Sequence, residues 1–232
     1  MMTVVKIAKV VLLLVLLLHS SLLSAEEKSP KYTPEIVPKK MSVQTKKARF
    51  YYLLLPPIKK VYSELEQQYI ATQKDLNNST NSESIVKLKE TYDVETDAEL
   101  LQALKPHPMS ITIAQAAMES AWGTSRFFRE AYNTFGMWNN DQNASRIAAG
   151  ESRSKKHTVW LSKYETLEDS VRAYYKTLAK GKTYIAFREV KMNSDDVYEL
   201  VKKLDKYSER GEDYTKEIAS MIRYNKLTKY DQ

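Results

Sequence analysis

The chain has 232 residues, 43% hydrophobic and 28% charged, enough for one compact domain with additions and its own core. It contains no cysteine, which excludes disulfide staples, a lipoprotein anchor and a cysteine nucleophile. The formal net charge is +7, from 36 basic and 29 acidic residues.

Lys6 and Lys9 precede an apolar run from Val10 to Leu18, followed by small residues through Ala25 and then Glu26 and Glu27. This order predicts a secretory signal over residues 1–25. The run falls short of the ~20 apolar residues of a spanning helix. A membrane contact is therefore expected only if this segment stays uncleaved. The predicted address is periplasmic or secreted. A basic exported protein suits an anionic polymer such as cell wall. Export and the mixing of charge signs argue against nucleic acid.

Residues 26–45, rich in Lys, Pro, Ser and Thr, read as a flexible linker. Residues 46–105 read as an N-terminal helical extension, with Pro56-Pro57 at the first turn of a helix carrying Ile58, Val61, Leu65 and Tyr69. Residues 77–84 read as a polar loop. Short helices are predicted over 84–92 and 97–104.

Pro106 and Pro108 open the segment read as the main domain, 106–232. Ser110 is a good N-cap for the strongest helix. Ala114, Ala117, Met118, Ala121 and Trp122 form one stripe at helical spacing, with Gly123 as its end. Thr124 or Ser125 caps a second helix, bearing Phe127, Phe128, Ala131, Tyr132 and Phe135 and ending at Gly136. A strand over 158–161 predicts a small β-hairpin within 145–164. Helices return over 166–180, 194–204 and 211–226, punctuated by Gly181 and Gly211. The fold class is mainly α with one small β element.

Three histidines are present, and His19 lies in the signal. His107 and His157 are far apart and outside ligand spacing, so no metal and no other cofactor is expected.

Glu119 falls at the flank of the apolar stripe, beside Gln115 and one turn from Trp122. A carboxyl there is partly desolvated, which raises its pKa and keeps a proton available for general acid catalysis. Helix geometry alone favours a solvated flank glutamate over a catalytic one.

The run from Ala114 to Ser125, Ala-Gln-Ala-Ala-Met-Glu-Ser-Ala-Trp-Gly-Thr-Ser, resembles the A-Q-A-A-L-E-S-G-W-G-x-S signature of the glucosaminidases of glycoside hydrolase family 73. Asn133-Thr134-Phe135-Gly136 is similar to the N-x-F-G that follows there. The segment Tyr164–Tyr174 and the run Tyr207-Ser208-Glu209-Arg210-Gly211-Glu212-Asp213-Tyr214 resemble two further blocks, in the order of the Bax-type branch.

The resemblance implies a lysozyme-like helical domain with a small β-hairpin lobe. It implies hydrolysis of the β-1,4 bond after N-acetylglucosamine in peptidoglycan glycan strands, with Glu119 as general acid. The family carries a water-activating carboxylate on the hairpin. Asp141 and Glu151 are the acids within 139–163, and Glu151, beside Gly150, is the stronger candidate; if it is not the base, the family offers an N-acetyl group of the substrate or a distant base to complete the reaction. Tyr207 matches a tyrosine lining the cleft, which implies a catalytic role, with the phenol hydrogen-bonding the sugar or orienting the nucleophilic water. Gln115, Trp122, Phe135, Tyr164 and Tyr184 are candidate substrate contacts, and Trp138 joins the aromatic ones as a platform for sugar rings. A lytic transglycosylase using the same glutamate and a non-catalytic wall-binding module are the rival readings. Nothing in the sequence demands more than a monomer.

Overall fold

A computed structural model describes residues 31–149 and 158–231. The segment read as a signal lies outside the described residues, and so does the hairpin tip with Glu151. Residues 32–231 form one compact unit of helices with a two-stranded sheet, as the mainly α, lysozyme-like reading expects. No helix among the described residues is long and apolar enough to cross a membrane.

Helix α1 runs unbroken from Val43 to Asn78. Pro56 and Pro57 sit inside it rather than at its start, which corrects the sequence reading. Each withholds a donor from the carbonyl four residues back. Burial outweighs that loss. Phe50, Leu54, Ile58 and Val61 recur at spacings of four and three and are wholly buried. The helix starts earlier than expected because the Ser42 hydroxyl accepts from the Thr45 N–H at 3.0 Å. Arg49 holds the preceding segment, donating to the carbonyls of Thr33 and Pro34. The region read as linker is therefore partly docked.

The polar stretch 77–84 is a turn rather than a loop. Ser79 and Asn81 take left-handed conformations between α1 and helix α2, Ser82–Tyr92. Helix α3, Asp97–Leu104, starts at a capping box between Thr96 and Glu99.

Helix α4, Met109–Glu119, packs against α1, against helix α9 (Glu212–Tyr224) and against a 3-10 turn at Leu227–Tyr230. Every residue from Ser110 to Ala117 is buried, so the helix is enclosed all round, while Ala121 and Trp122, the end of the stripe seen in the sequence, lie beyond it, with Ala121 exposed. Ser110 lies in its first turn and is not the N-cap, which is Pro108. The Ser110 N–H donates instead to Asp231 at 2.7 Å, placing a carboxylate at the helix N-terminus. Helix α5, Arg126–Ala131, is capped by Ser125 and ends in left-handed Tyr132, before Gly136 is reached.

Strands β1, Arg146–Ala148, and β2, Trp160–Ser162, pair antiparallel with Ile147 opposite Leu161. Trp138 adds a bridge to Leu161. Helix α6, Leu167–Lys180, begins at a capping box between Thr166 and Asp169. Helix α7, Ile185–Asn193, was not foreseen in the sequence, and helix α8, Val197–Lys202, is shorter than expected.

Two lysines tie α3 to α7. The Lys105 ammonium donates to the Lys191 carbonyl at 2.9 Å, and the Lys191 ammonium donates to the Lys105 carbonyl. Each cation thus sits at the C-terminal end of the other's helix, where the dipole favours it. Burial, with Arg188 and Lys105 nearby, pushes the Lys191 amine down to about 7. An amine depressed on folding leaves the unfolded chain holding more protons above pH 7, so its contribution to stability rises with pH there. Between about pH 7 and 9.5 thermal stability should rise, and Lys191→Met should flatten that rise in melts taken across the window.

Candidate active site

Helix α4 stops at Glu119, four residues before the glycine expected to end it. Ser120 explains this. Its hydroxyl donates back to the Ala116 carbonyl and accepts from the Gly123 N–H at 2.8 Å. The chain between them turns left-handed three times, with φ of 52° at Ala121, 61° at Trp122 and 71° at Gly123. Two of these residues carry a Cβ, a strained arrangement that must be held from outside. The buried Arg49 guanidinium supplies that hold, donating to the Gly123 carbonyl at 2.7 Å. The Trp122 ring packs edge-on against Phe50 and Tyr51, with the Lys47 ammonium 4.9 Å from its centroid.

Glu119 is therefore a fixed, half-buried carboxyl at the end of a core helix. Burial raises its pKa above the ordinary carboxylate value, opposed by a hydrogen bond from Tyr214 and by the charge of Arg210. Gly136 passes directly over it. A Cβ built there would lie 3.7 Å from Glu119 Oε2, and its φ of 66° already favours glycine. Gly136→Ala should cost about 1–2 kcal/mol in denaturant melts through its left-handed φ alone, because the added Cβ would meet the carboxyl only at ordinary van der Waals distance.

Asn133 holds the glycine in place. Its side-chain amide donates to the carbonyls of Met137 and Ser162, at 2.9 and 2.8 Å, and its oxygen accepts from the Met137 N–H. The loop after α5 is thereby fixed to β2. The Thr134 N–H donates to the Ser170 hydroxyl on α6.

Phe135 is 1% exposed and stacks on Tyr174 at 4.0 Å. It is a core residue, not a sugar platform. Gln115 is also wholly buried and bonds two tyrosines, so direct contact with substrate is ruled out for it as well. A polar residue on a helix enclosed on all sides has to find its partners inside.

Tyr207, in a 3-10 turn at Asp205–Tyr207, donates to the Phe135 carbonyl at 3.1 Å and stacks on Tyr214 at 5.6 Å. Its phenol is committed to the loop over Glu119. Tyr184 is half-buried and packs against Tyr207, while Tyr164, also half-buried, anchors its N–H on Ala131. Trp138 is 69% exposed beside the sheet and presents a free aromatic face. Asp141 is spent on a turn, accepting from the Asn143 N–H.

Four separate sequence blocks thus converge on one carboxyl. The family described as mannosyl-glycoprotein endo-beta-N-acetylglucosaminidase matches residues 95–227, more than half of the chain. This chain belongs to the glucosaminidase family of glycoside hydrolases. A curated relative, protein bax of Escherichia coli strain K12, is 28% identical over 133 residues, covering 54% of this chain and 46% of that protein. The chain thus spans about half the length of that relative. The catalytic domain of the autolysin Auto from Listeria monocytogenes has the same fold at a TM-score of 0.50, with 19% identity over 83% of this chain and 92% of that one. The family match begins within the segment read as an extension, and α1 contributes to the same core as α4.

Proposed function

We propose that this glucosaminidase is an exported peptidoglycan hydrolase that cleaves the β-1,4 bond after N-acetylglucosamine, with Glu119 as general acid. One observation carries the reading. Glu119 is a desolvated carboxyl with a raised pKa, fixed where a core helix ends and overhung by the glycine of the Asn133–Gly136 block. Departure of a glycosidic oxygen needs a proton, and burial, by raising the pKa of this carboxyl, makes it better able to carry and deliver one.

Glu151 is proposed as the base that activates water. Tyr207 and Tyr214 act in this reading as supports for Glu119 and for the loop above it. Trp122, Trp138, Tyr164 and Tyr184 remain the aromatic candidates for sugar contact. A cell-wall substrate places the protein outside the cytoplasm.

Purified protein incubated with purified peptidoglycan should release reducing N-acetylglucosamine ends, identified by mass spectrometry. Anhydro-muramic ends would assign a lytic transglycosylase instead. Binding to sacculi without any new ends would assign a wall-binding module.

A further inference from the structure

A line of hydrogen bonds runs through the core from His107 to Tyr214, the tyrosine beside Glu119. His107 is 2% exposed, and its Nε2 lies 3.0 Å from the Thr112 hydroxyl and 3.1 Å from the Tyr174 hydroxyl. Thr112 donates its proton to Tyr175, and Tyr174 donates its proton to Gln115 Oε1. Both hydroxyls therefore accept from His107, and its Nε2 carries the hydrogen. Because Oε1 of Gln115 receives Tyr174, Nε2 of Gln115 must face Tyr214, to which it donates at 2.8 Å. The Tyr214 oxygen is thereby occupied as an acceptor, and its own proton is left for the neighbouring Glu119 carboxyl, whose pKa it lowers.

Resting on the reading of Glu119 as the acid, we propose that His107, Tyr174 and Gln115 are positioning residues whose one-way chain of donors keeps the Tyr214 hydroxyl donating to Glu119. The chain solves a specific problem. A Gln amide can be turned end for end, and a phenol can turn its proton either way. Turned the other way, Gln115 would take the Tyr214 proton and leave the Glu119 anion without its hydrogen bond. Tyr174 blocks that turn because it offers a proton to Gln115. His107 blocks the corresponding turn of Tyr174. Burial alone holds the imidazole neutral well below its ordinary pKa, and the Lys191 charge, where present, acts in the same direction, so the start of the chain stays neutral whether or not Lys191 is ionised. The groups acting on Glu119 itself are Tyr214, Tyr207 and Arg210. The first two are neutral and the third stays charged, so the carboxyl titrates against a constant background.

The test reads the Glu119 carboxyl directly by ¹³C NMR titration, its signal assigned by loss in Glu119→Gln. In Tyr174→Phe, three links away from the carboxyl, the midpoint should rise by about one pH unit, since a hydrogen bond to the anion is lost. The basic limb of the pH–rate profile should move up with it. Tyr214→Phe should give at least the same rise, and the double variant no more than Tyr214→Phe alone. A folded Tyr174→Phe with an unmoved midpoint overturns the chain, even if activity falls. The wild-type protein gives an independent reading, because ¹⁵N shifts must show His107 with its hydrogen on Nε2. Hydrogen on Nδ1 would overturn the proposal without any variant. If Glu119→Gln still hydrolyses peptidoglycan, the assignment of the acid fails while the chain can still be read from the carboxyl titration.

Discussion

Glu119→Gln should lower peptidoglycan hydrolysis by about 10²–10⁴-fold, the usual contribution of a positioned acid, while leaving thermal stability at neutral pH unchanged or higher. The two expectations share one cause. Burial raises the carboxyl's pKa, so the folded state binds a proton more tightly than the unfolded chain does. Stability from such a group is fully present below the unfolded value of 4.5 and is lost as pH rises through the folded value. At neutral pH the ionised carboxyl is therefore a cost of folding that glutamine removes. Glutamine keeps an oxygen for the Tyr214 hydroxyl and has no proton to give a leaving group. Calorimetry of both proteins at pH 4 and pH 7, beside reducing-end assays, checks both. A variant as active as the parent would remove Glu119 from the chemistry. A variant that melts much lower at pH 7 would show that the carboxylate stabilises the fold.

The second large effect concerns Arg49. Arg49→Met should destabilise the protein by about 3 kcal/mol, from losing charge-assisted hydrogen bonds inside the core. For a domain of this size that corresponds to a melting temperature lower by about 10 °C. The guanidinium fork reaches Gly123 on one side and Thr33 and Pro34 on the other, so one side chain bridges two backbone segments. Arg49→Lys should not rescue the loss, because a single ammonium cannot meet carbonyls set that far apart around a planar fork. Activity in Arg49→Met should fall even at temperatures where the variant is folded, since the left-handed turn after Glu119 loses its outside support. Circular dichroism melts and single-temperature assays separate these effects. An unchanged melting temperature would mean that water replaces the guanidinium at all three carbonyls.

Glu119, Gly136 and the hairpin could be read from the sequence because each belongs to a contiguous block with its own local logic. The apolar stripe of α4 showed which way one face points. Burial of the other faces depends on α1, α9 and the 227–230 turn, which lie far away in sequence, so Gln115 looked like an edge residue. Phe135 was misread for the same reason: its partner, Tyr174, lies on another helix. Pro56-Pro57 signalled a helix start by local rules, and the tertiary burial of Phe50 through Val61 overrode them. Helix α7 escaped notice because its buried residues include Arg188 and Lys191, which no apolar pattern reveals. His107 was weighed only as a metal ligand. Its companions Thr112, Tyr174 and Tyr175 would have had to be recognised as polar groups at core positions of α4 and α6.

The stretch carrying Glu119 is gripped at both ends from remote parts of the chain. Arg49 takes hold of Gly123 from 74 residues away, and Asp231 takes hold of Ser110 from 121 residues away. Local helix formation can build α4, but it cannot aim the carboxyl. A partly folded chain with native helix content thus has no aligned acid, and catalysis depends on cooperative folding of the whole unit. On heating, cleavage and near-ultraviolet dichroism should be lost together, so a hydrolase of this design stays inert until it is fully assembled.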